Sequence, residues 1–245
     1  MVDTEEEELP KQSQTAYRAN TARANYLSQD RSDIKFAVKE LSRKMSKPTV
    51  QDWEKLKRLA RYLVTNTRCR QLFEYQSANP AVEVYTDTDF AGCSRTRKST
   101  SGGVVMVGRH VVKTWSTTQG VIALSSGEAE YYGLVKGAAQ GLGVKNMMDE
   151  FGYKLKLVVK TDASAAKGIA TRRGSGKVRH IEVNQLWVQE KVAQGIIKII
   201  KISTDVNVAD SLTKYLSAEG ISKHMAFTNQ WIEKGRHRLM PEVAK

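Results

Sequence analysis

The sequence AVEVYTDTD, residues 81–89, is the stretch from which the fold and the candidate site are predicted. Val82 and Val84 recur at every second position, as in a β-strand with one buried face, and Asp87 and Asp89 follow at its end. Carboxylates at a strand end could hold a metal ion at the edge of a sheet. Aspartate is also a common turn residue, and for this stretch alone the turn is the preferred interpretation. Acids at the ends of later elements would change that preference.

The composition of the 245-residue chain favours a folded protein with a polyanionic partner. Hydrophobic residues make up 40% of the sequence, which suits one large domain or one domain with a smaller appendage. Lys and Arg number 39 against 26 Asp and Glu, a formal net charge of +13. Nucleic acid is the expected partner, although a soluble protein with a basic surface would have the same charge.

Membrane insertion, secretion and a disulfide framework are not predicted. No apolar run approaches the roughly 18 residues of a membrane span, and the N-terminal MVDTEEEELP lacks the features of a signal peptide. Cys69 and Cys93 have no metal-type spacing, which also argues against a zinc site. We therefore expect no membrane partner and an intracellular location, either cytoplasmic or nuclear.

Changes in composition and periodicity divide the chain into five predicted segments. These are an acidic disordered head (1–15), a helical region (16–66), a linker (67–80), an α/β domain (81–216) and a C-terminal helix with a basic tail (217–245). The helical region has basic residues that could follow nucleic-acid phosphates or simply form a solvated surface: Lys39, Arg43, Lys44, Lys47, Lys55, Lys57, Arg58 and Arg61.

The α/β domain begins with strands and continues with strands and helices in alternation. Two β-branched runs, 104–107 and 111–115, follow the first strand and predict an antiparallel meander. Ser125 and Glu128 have capping-box spacing at the start of an amphipathic helix. Further strands are predicted at 155–161 and 196–202, with helices between and after them. This order predicts a mixed sheet with helices packed on it.

Four acids recur at the ends or beginnings of these elements. Asp87 closes the first strand, Glu130 lies early in the first helix, Asp162 ends a later strand and Asp210 lies in a late helix. Divalent cations such as Mg²⁺ prefer oxygen ligands, and two such ions about 4 Å apart can act on a phosphodiester. Each acid taken alone could instead complement a helix dipole. Four in this order favour a metal site.

Six motifs follow one another along the chain: YTDTDFAGC, RKSTSGG, TWSTTQGVIALSSGEAEYYGL, VKTDASAAKGIA, VRHIEVNQLWVQEKV and VNVADSLTKYL. In this order they resemble the ribonuclease H domain of copia-type (Pseudoviridae) retrotransposon polyproteins. The resemblance extends over residues 82–216, and residues 26–63 resemble the thumb and connection region of the reverse transcriptase of the same polyproteins. The polymerase fingers and palm have no counterpart, so no polymerase activity is expected.

The resemblance implies a fold, an activity and a set of site residues. The expected fold is a ribonuclease H-like mixed five-stranded sheet with helices on both faces, preceded by a small helical region. The expected activity is metal-dependent cleavage of the RNA strand of RNA–DNA hybrids with two Mg²⁺ or Mn²⁺ ions. By correspondence, Asp87 bridges both metals, and Glu130, Asp162 and Asp210 are further ligands. The resemblance places the metal-binding acid directly before the aromatic residue of EAEY, which selects Glu130 over Glu128. Since two residues turn a helix by about 200°, only one of the two acids can face the metals.

Some features remain open. The loop STDVNVA before Asp210 lacks the histidine of many cellular ribonucleases H, and His180 lies in a different motif, where it could be a hydrogen-bonded helix-start residue. Ser99, Thr100 and Ser101 could contact phosphates or cap their own turn. Besides the hybrid, possible partners are the rest of a retroelement polyprotein or a ribonucleoprotein. The alternative function is a domesticated, non-catalytic scaffold that binds nucleic acid or a ribonucleoprotein.

Overall fold

The computed structural model describes residues 7–76, 81–174, 176, 178–235 and 239, in two compact units. The first unit comprises Met1–Leu72 and Gln230–Lys245, and the second is Phe73–Asn229. The elements in chain order are α1 (Lys11–Leu27), α2 (Lys35–Ser42), α3 (Val50–Thr65), β1 (Arg68–Gln71), β2 (Val82–Asp89), β3 (Thr100–Val107), β4 (His110–Thr118), α4 (Ser126–Glu150), β5 (Leu157–Thr161), α5 (Ser164–Thr171), α6 (Trp187–Ala193), β6 (Ile197–Lys201), α7 (Ala218–Phe227) and β7 (Gln230–Glu233).

The first unit consists of three helices and a two-stranded ribbon. Side chains from α1, α2 and α3 form its core, with Tyr17, Val38 and Leu59 all buried. β1 pairs antiparallel with β7, which joins the two chain segments of this unit. The Ser32 hydroxyl also donates to Gln230 Oε1. The helical character predicted for residues 16–66 is therefore present.

The structure differs from the predicted disordered head. Residues 1–6 lie outside the described part of the chain, but α1 already begins at Lys11. Pro10 precedes the helix with φ −54°, and its missing N–H costs nothing there because the first helical amides have no partner within the helix. Leu9 is buried in the core, and its N–H donates to Pro48 O at 3.0 Å. Burial of Leu9 orders this segment despite its polar composition.

The predicted linker and basic tail each contain a strand. Both β1 and β7 are four residues long, and β1 carries no apolar alternation, so neither gave a strand signal. Each strand is stabilised by the other across a long sequence separation. Residues 77–80 of the predicted linker, like 236–238 and 240–245 of the tail, lie outside the described residues.

The second unit contains a mixed five-stranded sheet, which confirms the predicted fold class. The strand order is β4-β3-β2-β5-β6. β2, β3 and β4 form the predicted antiparallel meander, and β2, β5 and β6 are parallel. One face of the sheet packs against α4, α5 and α6, and a 3-10 helix, Val208–Leu212, covers the other. β3 begins at Thr100, four residues before the predicted run 104–107.

Helix α4 lies close to β2 because glycines occupy part of its contact face. A Cβ on Gly137 would be 2.3 Å from Thr86 Cγ2, and a Cβ on Gly133 would be 2.4 Å from Thr88 Oγ1. This close approach sets the depth at which the helix meets the strand. Within the described residues, no helix is both long and apolar enough to span a membrane.

The glycine contact predicts a large difference between two substitutions in one helix. Gly137→Ala should destabilise the protein by about 1–3 kcal/mol, because the added methyl overlaps Thr86. Gly143→Ala is the matched control: a Cβ there meets nothing within 4 Å, so alanine should stabilise the helix by about 0.5–1 kcal/mol. Urea unfolding of both variants measures the difference, and equal effects would contradict the packing argument.

Candidate functional site

Asp87 and Asp162 reach the same edge of the sheet because they belong to neighbouring parallel strands. Thr86 of β2 pairs with Thr161 of β5, and each aspartate is the residue that directly follows one of these threonines. Glu130 comes from the second turn of α4, which packs on the same sheet. One carboxylate oxygen from each of these three acids lies within 4.8 Å of the other two. That spacing suits the oxygen ligands of a divalent cation.

Asp210 lies outside this three-acid group but close to it. It belongs to the 3-10 helix on the opposite face, and its Oδ1 forms an ion pair with Lys214 Nζ at 2.6 Å. Its negative charge contributes to raising the pKa values of Asp87 and Glu130. The structure therefore brings together three of the four predicted site residues. It places the fourth, Asp210, beside them in an ion pair with Lys214.

The Asp87 carboxylate is buried and held in place by a neighbouring hydroxyl. Only 7% of the residue is exposed, and Thr213 Oγ1 donates a hydrogen bond to Asp87 Oδ2 at 2.6 Å. Burial raises the pKa of Asp87 to about 6, and the charges of Asp210 and Asp162 add to the rise, which the Thr213 hydrogen bond partly offsets. Asp87 thus carries unfavourable negative charge at neutral pH.

Ionisation of Glu130 is more unfavourable than ionisation of Asp87. Burial, together with the nearby charges of Asp87 and Asp162, raises the pKa of Glu130 to about 9. Its buried Oε2 has no hydrogen-bond partner among the described residues. A buried carboxylate oxygen without a donor is costly, and a bound cation would relieve both the repulsion and the missing interaction. The residues present therefore fit a divalent metal ion.

Glu128, the other acid of the motif, is engaged elsewhere. Its carboxylate accepts hydrogen bonds from Leu124 N–H, Tyr132 O–H and His180 Nε2, and with the help of these donors its pKa is lowered despite burial. Only half of the expected capping box forms: Ser125 Oγ accepts from Glu128 N–H at 3.2 Å, but the carboxylate binds Leu124 instead of the Ser125 amide.

The Ser99–Thr100–Ser101 stretch stabilises the protein locally. All three residues are buried, Ser99 Oγ accepts from Ala91 N–H at 3.1 Å, and Ser101 Oγ accepts from Gln119 Nε2 at 2.8 Å. These contacts agree with the alternative in which the segment caps its own loop. Asp89, also in β2, is not a member of the three-acid group.

Two polar residues of the site were not singled out from the sequence. Thr213 and Lys214 follow Asp210 by three and four positions, the spacing at which residues share one side of a helical segment. Thr213 binds Asp87, and Lys214 binds Asp210. The helical spacing after Asp210 is the signal that could have identified both.

The raised pKa of Glu130 predicts a pH-dependent cost to stability without metal. A carboxyl group whose pKa rises on folding, here from 4.5 to about 9, destabilises the protein progressively as the pH increases across that interval. In EDTA, Glu130→Gln should be more stable than the parent by a few kcal/mol at pH 8.5, since one pKa unit corresponds to about 1.4 kcal/mol. Near pH 4.5 the difference should be small.

Urea unfolding at the two pH values, repeated with Mg²⁺, measures this effect. Mg²⁺ should stabilise the parent more than Glu130→Gln, because a ligand stabilises the state that binds it. A stability difference that is the same at both pH values would contradict the assignment of the strain to Glu130.

Comparisons with known proteins give relatives but no matching family model. The chain is 29% identical over 206 residues to "Retrovirus-related Pol polyprotein from transposon RE2" of Arabidopsis thaliana, covering 83% of this chain and 14% of the relative. It is 32% identical over 186 residues to "Retrovirus-related Pol polyprotein from transposon TNT 1-94" of Nicotiana tabacum, covering 75% and 14%. The chain thus spans about 14% of the length of these curated relatives.

Among solved structures, the chain is similar to the N-terminal RNase H domain of rv2228c from Mycobacterium tuberculosis, solved as a fusion with maltose binding protein. That likeness covers 60% of this chain and 96% of the other, with 19% identity and a TM-score of 0.40. The motifs, the five-stranded mixed sheet and the Pol relatives lead to one family. The chain belongs to the retrovirus-related Pol polyproteins of copia-type transposons, and its second unit has the mixed five-stranded sheet expected from the ribonuclease H resemblance.

Proposed function

We propose that this chain carries a metal-dependent endoribonuclease that cleaves the RNA strand of RNA–DNA hybrids. The proposal is supported chiefly by the group of Asp87, Glu130 and Asp162, whose carboxylate oxygens lie within 4.8 Å of one another. A purely structural site would gain little from grouping three like charges, two of them buried, because each acid raises the cost of ionising the others. The motif resemblance supports the same activity.

In this proposal, Asp87, Glu130, Asp162 and Asp210 hold two Mg²⁺ or Mn²⁺ ions. Bound cations would supply the activation of water and the stabilisation of the departing 3′ oxygen. Thr213 orients the Asp87 carboxylate by donating to Oδ2. Glu130 holds a proton on its carboxyl group at neutral pH in the absence of cations, since its pKa is about 9, and gives it up when cations bind.

Exposed basic residues on α3 support a nucleic-acid partner. Arg58 and Arg61 are both exposed on this helix. Three other basic residues of the first unit are paired with acids: Lys39 and Arg43 with Glu40, and Lys44 with Asp52. The candidate phosphate-binding face is therefore narrower than the sequence indicated. It would serve equally well in a non-catalytic scaffold, which remains the second candidate.

Asp87→Asn separates the enzyme from the scaffold. The amide keeps the size of the side chain and removes the charge proposed to hold cations, so hybrid cleavage should fall by several orders of magnitude while hybrid binding persists. Asp149→Asn is the matched control, because Asp149 lies near the far end of α4 and pairs with Lys145. Cleavage of a hybrid labelled on its RNA strand, with and without Mg²⁺ or Mn²⁺, is the measurement.

A parent protein that binds hybrid but never cleaves it with either cation would overturn the enzyme and favour the scaffold. Cleavage by Asp87→Asn at the parental rate would exclude the acid group as the active site.

Salt dependence tests the α3 face. Arg58→Gln combined with Arg61→Gln should reduce the slope of log binding constant against log salt by about 1–2, because up to two phosphate contacts are lost. Lys154→Gln combined with Lys156→Gln removes the same charge at the opposite end of β5 from Asp162 and should change the slope less. Equal effects of the two double variants would show that net charge, not the α3 face, governs binding.

A further inference from the structure

One buried carboxylate joins three segments of the second unit. Glu128 Oε1 accepts from Tyr132 O–H at 2.8 Å, and Oε2 accepts from Leu124 N–H at 2.9 Å and from His180 Nε2 at 2.8 Å. The Glu128 side chain is 2% exposed, whereas that of His180 is 43% exposed. We call these four residues the Glu128 clamp. It connects α4 to the loop before it and to the segment between α5 and α6.

The same three segments line a cavity of about 520 Å³. The loop contributes residues 119–122 and Leu124, α4 contributes Glu128, Tyr132 and Lys136, and the third segment contributes His180, Glu182 and Gln185. Because the clamp bonds all three to one another, it determines the separation of the surfaces around the cavity.

The cavity adjoins the acid group through Gln119. This side chain lines the cavity, and its Nε2 donates to Ala129 O and Ser101 Oγ, both at 2.8 Å. Ala129 immediately precedes Glu130 in the sequence. Ser101 also lines the cavity, and it pairs with Thr88, the residue that follows Asp87 in β2.

The segment between α5 and α6 carries a concentration of positive charge. Arg172, Arg173 and Arg179 lie on it, and Arg173 and Arg179 are exposed. The described part of the segment is held at several points: Gly174 N–H donates to Gln189 Oε1 at 2.9 Å, Gln185 O accepts from Tyr131 O–H at 2.7 Å, and Ile181 is buried in the core. His180 directly follows Arg179, so its bond to Glu128, together with burial of Ile181, helps to set where that charge lies.

We propose that the Glu128 clamp positions this basic segment against the backbone of an RNA–DNA hybrid, with His180 as a positioning residue. The inference rests on the proposed function. It assigns to His180 an effect on substrate binding, not on the reacting atoms, because His180 contacts Glu128 and not the three-acid group. The start of α4 is already held by the Ser125 cap and by burial of Ala129, so it does not need His180 for its own stability.

Substitutions at His180 provide the test. His180→Ala should weaken binding to a hybrid about tenfold, the size expected for one lost hydrogen bond to a charged group. KM should rise with little change in kcat. The slope of log binding constant against log salt should also fall. This change would not come from net charge, because with histidine counted as neutral the formal net charge stays at +13. Mn²⁺ binding, measured by electron paramagnetic resonance, should be unchanged.

Two further variants and a control separate positioning from folding. His180→Met has similar bulk but no N–H donor and should behave like His180→Ala, whereas His180→Gln restores a donor and should recover most of the binding. His110→Ala is the matched control, because His110 is a half-buried histidine of the same unit whose Nε2 lies 2.7 Å from Glu74 O. It should bind hybrid like the parent.

The outcomes are distinguishable. A parent that does not bind hybrid would overturn the proposed function together with the inference. If the parent binds hybrid, and His180→Ala and His180→Met bind it equally well with the same salt slope, the inference alone would be overturned. Loss of Mn²⁺ binding and of kcat with KM intact would also overturn it, because His180 would then act on the acid group.

Discussion

The close contact between α4 and β2 is the constraint on which the candidate site depends. Gly133 and Gly137 leave room for the helix to lie directly on the strand, and a methyl group at either position would overlap Thr88 or Thr86. Because Asp87 lies between these two threonines in sequence, the depth of the helix also sets the distance from Glu130 to Asp87. Packing thus brings together two side chains that electrostatics would separate.

The site is stabilised by its surroundings and destabilised by its own charges. Burial raises the pKa values of Asp87 and Glu130 to about 6 and about 9, so both carboxylates are unfavourable when ionised. Thr213 and Lys214 relieve part of this strain by binding Asp87 and Asp210. Glu130 Oε2 receives no such help among the described residues. A bound cation would offset the unfavourable electrostatic free energy that remains.

The two acids of the EAE motif illustrate how neighbouring residues acquire different roles. Glu128 and Glu130 are both buried, yet the pKa of Glu128 is lowered and that of Glu130 is raised. Three donors stabilise the charge of Glu128, whereas Glu130 faces other carboxylates. Burial alone therefore does not distinguish them. The identity of the neighbouring groups does, and it suits Glu128 to holding segments together and Glu130 to holding a cation.

The sequence by itself determined the features that arise from local periodicity: the meander of β2, β3 and β4, helix α4, the strand before Asp162, and the ordering of the acids along the chain. Alternation and helical spacing are visible within about 15 residues, which is why these elements were predictable. The tertiary structure alone decided the pairing of β1 with β7, the ordered start at Lys11 and the hydrogen bond from Thr213 to Asp87. Each of these joins residues far apart in sequence or depends on burial, and neither long-range pairing nor burial leaves a local pattern.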